Sequence, residues 1–209
     1  MGTTLESLFS VPVAVFVRIA KLPVFLQKEL GDPVLHDSKQ RCDHEHYNNE
    51  RCDHQTSMTD VALYQNYGIQ FQFPSSWKLD EQISEDDVTI TVQSSGTSFW
   101  TAVIFTSQPD PEEVLDAAVA AFEQDYEDVE VSTVVCSFCG VPALGRDLDF
   151  VCYDLINSAT LRAFQTSEQT ILVLHQGTDH ELKSTRELLA SISLSMRFTD
   201  DEELERELD

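Results

Sequence analysis

Positive charge is scarce in this chain. Its 209 residues hold 13 Lys and Arg against 37 Asp and Glu, a formal net charge of −24. Phosphate backbones are bound through clustered Lys and Arg, so nucleic acid is excluded as a partner, and attraction to anionic membrane surfaces is disfavoured for the same reason. Glycine is also sparse: there are seven, scattered, and no Gly-rich phosphate loop. GxSxG and HExxH are both missing. Long apolar runs are missing too. The most apolar stretch, LFSVPVAVFVRIAKLPVFL, is interrupted by Pro12, Arg18, Lys21 and Pro23. It is too short and broken for stable membrane insertion, and its charges follow the apolar run rather than precede it, unlike a secretory signal. It reads as a poorly specified tail, with an interfacial amphipathic segment as the alternative. The five Cys are an odd number and not a small-domain disulfide framework. A reducing bacterial cytoplasm is the expected location.

The charge is unevenly spread. Eight acidic and six basic residues precede Met58, whereas 29 acidic and seven basic residues follow from it. Such a surface favours solubility and self-repulsion. Residues 31–60 are polar and lack apolar periodicity, which predicts linker or disorder. The expected organisation is therefore a poorly ordered N-terminal extension over 1–57, an α+β domain over 58–198 and an acidic tail over 199–209. Met58 stands at the change of composition, and an alternative translation start there is an expectation.

Within the domain, YGIQFQFP alternates Ile69, Phe71 and Phe73 with Gln70 and Gln72, and VTITVQ repeats the pattern. Both predict half-buried strands. FWTAVIFT is apolar on both faces and predicts a central strand. Asp110, Pro111 and Glu113 mark a helix start, followed by the stripe Leu115, Ala118, Val119, Phe122 and Tyr126. Strands are then expected over 129–135 and 147–152, with a hairpin formed by ATLRAFQT and QTILVLHQ. Thr178 and Glu181 form a second capping box, opening a helix with Leu182, Leu189, Ile192 and Met196 on one face. Three strands, a helix, four strands and a helix imply a central, mostly antiparallel sheet of about six to seven strands flanked by two main helices.

Candidate chemistry is thin. The extension holds Cys42, His44, His46, Cys52 and His54 within thirteen positions, the tetrapeptide RCDH occurring there twice. These are metal ligands by type, zinc being the first ion to consider. Their two-residue spacing is not that of ordinary structural zinc sites, however, and duplicated sequence of no function is the competing reading. Otherwise no cofactor is expected. Cys136 and Cys139 form a CxxC after a strand rather than at a helix N-terminus. They read as structural cysteines that an extended strand points to opposite faces, with redox or metal roles as alternatives. His175 and His180 are near enough in sequence to approach each other but lack a supporting nucleophile, and they read as surface or cap-region histidines. Asp147 and Asp149 share a strand face, and Glu85, Asp86 and Asp87 form a loop run. Solvation is the reading for both groups, against acid–base work or binding of a hard cation.

YGIQFQFPSSWKL, the turn Gly140-Val141-Pro142-Ala143 and the final ASISLSMRF resemble the PsbP-like fold family, which includes DcrB-like bacterial proteins of unknown role. The resemblance covers about residues 64–198. It implies a sheet flanked by helices and no common enzymatic activity. The motifs encode fold: Pro74 stops a strand, Trp77 is an apolar plug and Gly140 permits a turn. The expectation is a non-enzymatic binding or accessory protein with an unidentified protein partner, met at the sheet or at loops around Trp77 and Trp100. The alternative is a metal-binding or thiol-redox protein that uses the N-terminal cluster or the CxxC.

Overall fold

The structure is a computed structural model that describes residues 60–199. Two antiparallel sheets and two helices make it α+β. Five strands come first: β1 (Val61–Asn66), β2 (Ile69–Pro74), β3 (Lys78–Ile83), β4 (Asp87–Gln93) and β5 (Phe99–Phe105). Helix α1 (Pro111–Asp125) follows, then β6 (Glu130–Phe138), β7 (Val141–Cys152), β8 (Leu155–Gln165) and β9 (Thr170–Thr178). Helix α2 (Asp179–Ser195) and a short β10 (Arg197–Phe198) end the described chain. The large sheet runs β3-β4-β5-β9-β8-β7-β6, and the small one runs β1-β2-β10.

Alternation along each strand decides which layer its side chains join. Phe99, Val103, Leu148, Phe150, Leu161, Leu172 and Leu174 face α1, where Leu115, Ala118 and Phe122 meet them. The opposite face presents Ile90, Val92, Trp100, Phe164, Ile171 and Val173 to α2 and to Tyr64, Ile69 and Phe71 of the small sheet. All seven residues of β5 are buried, as expected for a central strand covered on both faces. Between β4 and β5 the Thr91 and Thr101 hydroxyls meet at 2.7 Å and Thr101 donates to the Ile90 carbonyl at 2.8 Å, so these buried hydroxyls are paired.

Several expectations change. The YGIQFQFP strand belongs to the small sheet, not to the central one. β1, β3 and β10 are additional to the expected strands. β7 begins at Val141, so of the expected turn Gly140-Val141-Pro142-Ala143 only Gly140 is turn and the rest is strand. Pro142 is tolerated because β8 first pairs with β7 at Leu144, leaving β6 as the one neighbour at Pro142. At α1, Asp110 accepts the Glu112 N–H at 2.8 Å with Pro111 at the first helical position. At α2, Thr178 accepts the Glu181 N–H at 3.3 Å, but the Glu181 carboxylate does not return to the cap. It receives the Thr97 N–H at 2.9 Å, the Thr97 hydroxyl at 2.9 Å and the Ser98 hydroxyl at 2.7 Å, tying the β4–β5 turn to the helix. The second capping box is therefore half made, and its other half is a tertiary clamp.

Candidate functional site

The sequence-predicted residues do not converge. Cys42, His44, His46, Cys52 and His54 lie outside the described residues. Among the described residues, no group of three or more His, Cys, Asp or Glu is placed to hold a metal ion, and no helix is long and apolar enough to cross a membrane. Trp100 is wholly buried and its Nε1 donates to Ser193 Oγ at 2.9 Å, so it offers nothing to a partner. Trp77 is partly buried against the α2-side core.

Cys136 and Cys139 do not point to opposite faces. Both pack toward the α2-side core. The cause is the two-residue turn between β6 and β7, where Cys139 (φ 51°) and Gly140 (φ 83°) take left-handed backbone and swing the Cys139 side chain around. Both thiols are free. Cys139 donates to the Met196 carbonyl at 3.2 Å. Burial pushes its thiol up, against the opposing pull of Arg197, which favours the unreactive thiol over the thiolate. The cleft beside it, about 370 Å³, is lined by Ser137, Phe138, Ser193, Leu194 and Arg197.

His175 is not a surface or cap residue. It lies within β9, partly buried on the α2 face, in a row running Trp100, His175, Thr160, Asp147 across β5, β9, β8 and β7. Burial, with the Arg162 and Arg186 cations and against the Asp147 carboxylate, lowers it to about 4, so it is neutral at pH 7. Arg162 reaches Asp147 at 2.7 Å by lying across Gly145, where a Cβ would meet Nη1 at 2.7 Å. Asp149 accepts the Ser158 hydroxyl at 2.5 Å. Asp87 is buried as the first residue of β4, accepting from Ser84 Oγ at 3.3 Å, while Glu85 and Asp86 stay exposed. His180 is exposed in the first turn of α2.

What the sequence reading did not single out is the end of the molecule where α1 stops and β7 turns into β8. α1 ends on the buried Tyr126, whose ring packs tilted against Phe150 with centroids 4.4 Å apart. Asp128 (φ 54°) then turns the chain into β6. Opposite, Tyr153 (φ 50°) and Asp154 (φ 61°) form a two-residue hairpin turn with both residues in the left-handed region. That turn favours Asn-Gly or Asp-Gly, and a tyrosine there costs on the order of 1 kcal/mol. Between the two loops is an open groove of about 550 Å³ lined by Asp125, Tyr126, Glu127, Asp128, Val151, Cys152, Tyr153 and Asp154. Four carboxylates rim it, and no cation among the described residues lines it. Tyr153 is 62% exposed, and Val151, Leu155 and Ile156 beside it are exposed as well. Burial pushes the Cys152 thiol up against the hydrogen bond from Tyr126, making it a poor nucleophile. The groove therefore offers apolar contact, aromatic stacking and negative charge. The available signal in the sequence was the pair Tyr153-Asp154 between strands, without a glycine.

No family model and no curated protein matches the chain. Solved structures that it is similar to include cyanobacterial PsbP from Synechocystis, at 11% identity and a TM-score of 0.49, covering 69% of this chain and 96% of that one. LpqN of Mycobacterium tuberculosis, a protein involved in cell envelope biogenesis, gives 13% and 0.41 over 68% and 91%. PA94 of Pseudomonas aeruginosa, a protein of unknown function, gives 13% and 0.40 over 65% and 94%. PsbP is the family the sequence resembles; the DcrB-like subfamily is not established. No functional conclusion follows from likeness at this level.

Proposed function

We propose that this is a non-enzymatic binding or accessory protein of the bacterial cytoplasm that uses the groove between the α1 end and the β7–β8 turn to hold a protein partner. The observation that carries the reading is that the exposed Val151 and Tyr153 line one groove with the carboxylates of Asp125, Glu127, Asp128 and Asp154. An apolar patch rimmed by polar groups is the usual form of an interaction surface. Its charge selects a partner segment with Lys or Arg beside apolar residues, and Tyr153 adds a face for a cation.

The test is affinity capture with the full-length chain and with a Val151→Ser/Tyr153→Ser variant. A partner retained by the wild type and lost by the variant supports the reading; equal capture by both refutes the groove. The metal-binding alternative rests on Cys42, His44, His46, Cys52 and His54 alone. Near-stoichiometric zinc or copper in the full-length chain, lost in a Cys42→Ser/Cys52→Ser variant, would establish it.

A further inference from the structure

The large sheet has two edges of different character. β3 is six residues long and carries Lys78, Asp80 and Glu81, the charged pattern that protects an edge from pairing. β6 is nine residues long, Glu-Val-Ser-Thr-Val-Val-Cys-Ser-Phe, with Glu130 its one charge and no Lys, Pro or Gly. Its ladder is with β7, and among the described residues its outer backbone edge pairs with no strand. Val131 and Val135 point to the α1 side, being registered with Leu148 and Leu144, but α1 packs on β7, β8 and β9 and leaves them 40% and 80% exposed. An exposed, nearly uncharged, β-branched edge of this length is a template for another strand.

We propose that β6 pairs antiparallel with β6 of a second copy, joining two seven-stranded sheets across a two-fold axis. The register that overlaps all nine residues centres on Val134. Val134 then faces Val134 of the second copy, Thr133 faces Val135, Val131 faces Ser137, Ser132 faces Cys136 and Glu130 faces Phe138. Residues directly opposite share a face, so both copies place Val131 and Val135 in one apolar stripe on the α1 side, and β-branched cross-strand pairs of this type are favourable. No like charges meet. The two Glu130 carboxylates lie about 26 Å apart at the strand rise of ~3.3 Å, roughly three screening lengths at physiological salt. The acidic residues before β6, Glu127 and Asp128, lie toward the uncharged Cys139-Gly140 turn of the other copy. Antiparallel self-pairing thus solves the problem that a net charge of −24 poses for two copies meeting.

Light scattering coupled to size exclusion on the full-length chain at micromolar concentration tests this. We expect twice the chain mass, and a dimer fraction that grows as salt rises, because salt screens the repulsion between the two acidic bodies. Val135→Lys places a cation in the stripe at a side chain that is already solvent-exposed, and we expect it to return the protein to monomer. Ile83→Lys, on the β3 edge, should leave the dimer intact. A monomeric wild type overturns the proposal, as does a dimer that weakens with salt. A dimer lost in Ile83→Lys but kept in Val135→Lys overturns it too.

Discussion

His175 titrates well below its ordinary range because it is buried beside Arg162. Its folded value of about 4 lies below the ordinary value of 6.5. The unfolded chain therefore takes up a proton first, and the contribution of the neutral imidazole is full above pH 6.5 and lost as pH falls from 6.5 toward 4. The contribution is at most ~3 kcal/mol, from the size of the shift. His175→Phe should flatten the stability curve over that window: urea midpoints of wild type and variant at pH 4.5 and 7.5 should differ in their pH slope. Equal slopes would mean that His175 is hydrated in the folded state. Tyr153 and Asp154 permit a test of a different kind. Replacing them by Asn and Gly suits the left-handed turn, and we expect stabilisation by about 0.5–1 kcal/mol in denaturant titration together with loss of the exposed phenol. Lower stability would show that the tyrosine ring contributes to the folded state after all.

At the scale of elements, the Glu181 clamp joins α2 to the β4–β5 turn. Burial pushes this carboxyl up, and the hydrogen bonds from the Thr97 N–H, the Ser98 hydroxyl and the Thr97 hydroxyl outweigh it, leaving the group below its ordinary value. Its stabilisation is present above the ordinary carboxylate range and is lost as pH falls through the depressed value. Glu181→Ala should cost about 1–3 kcal/mol, because the donors of Thr97 and Ser98 lose their acceptor. Faster amide exchange at Thr97 should accompany it, and unchanged exchange there would contradict the clamp.

Elements also show what the sequence could convey. β4 and both helices were legible because their apolar residues fall at a period of two or at three-and-four spacings, and β5 and β9 because their nearly continuous apolar runs match burial on both faces. β1 was not, since Tyr64 is its one buried residue, held by stacking on Phe71 and a hydrogen bond to Glu81. β3 has charge on three of its six residues and no clear apolar alternation, and it is a strand because β4 supplies its ladder. The start of β7 was hidden by Pro142, which only the sheet order makes acceptable. The candidate groove was illegible for a related reason: Asp125 and Glu127 are about 27 residues from Tyr153 and Asp154, and the α1 end meets the β7–β8 turn through tertiary packing of Tyr126 on Phe150. Cys139 shows the limit of strand parity, since a left-handed turn residue escapes it.

Over the whole molecule, repulsion between like charges governs the behaviour of the surface. Among the described residues the ion pairs gather on Arg146, with Glu112 and Asp116, and on Arg162, with Asp147. Most carboxylates are therefore left to solvent and to one another. Raising salt from ~10 mM to ~500 mM shortens the screening length from roughly 30 Å to a few Å and should raise the melting temperature by relieving that repulsion. A fall in melting temperature would mean that attractive pairs outweigh it.

The central claim is that the groove at the α1 end and the β7–β8 turn is where a partner binds. The most direct measurement replaces Tyr153 with a photo-cross-linking amino acid in the full-length chain, with the same residue at the exposed Glu85 as control, and irradiates both in cells. The account predicts a discrete protein adduct at position 153 that is absent at position 85. No adduct at 153, or the same adducts at both positions, would contradict it.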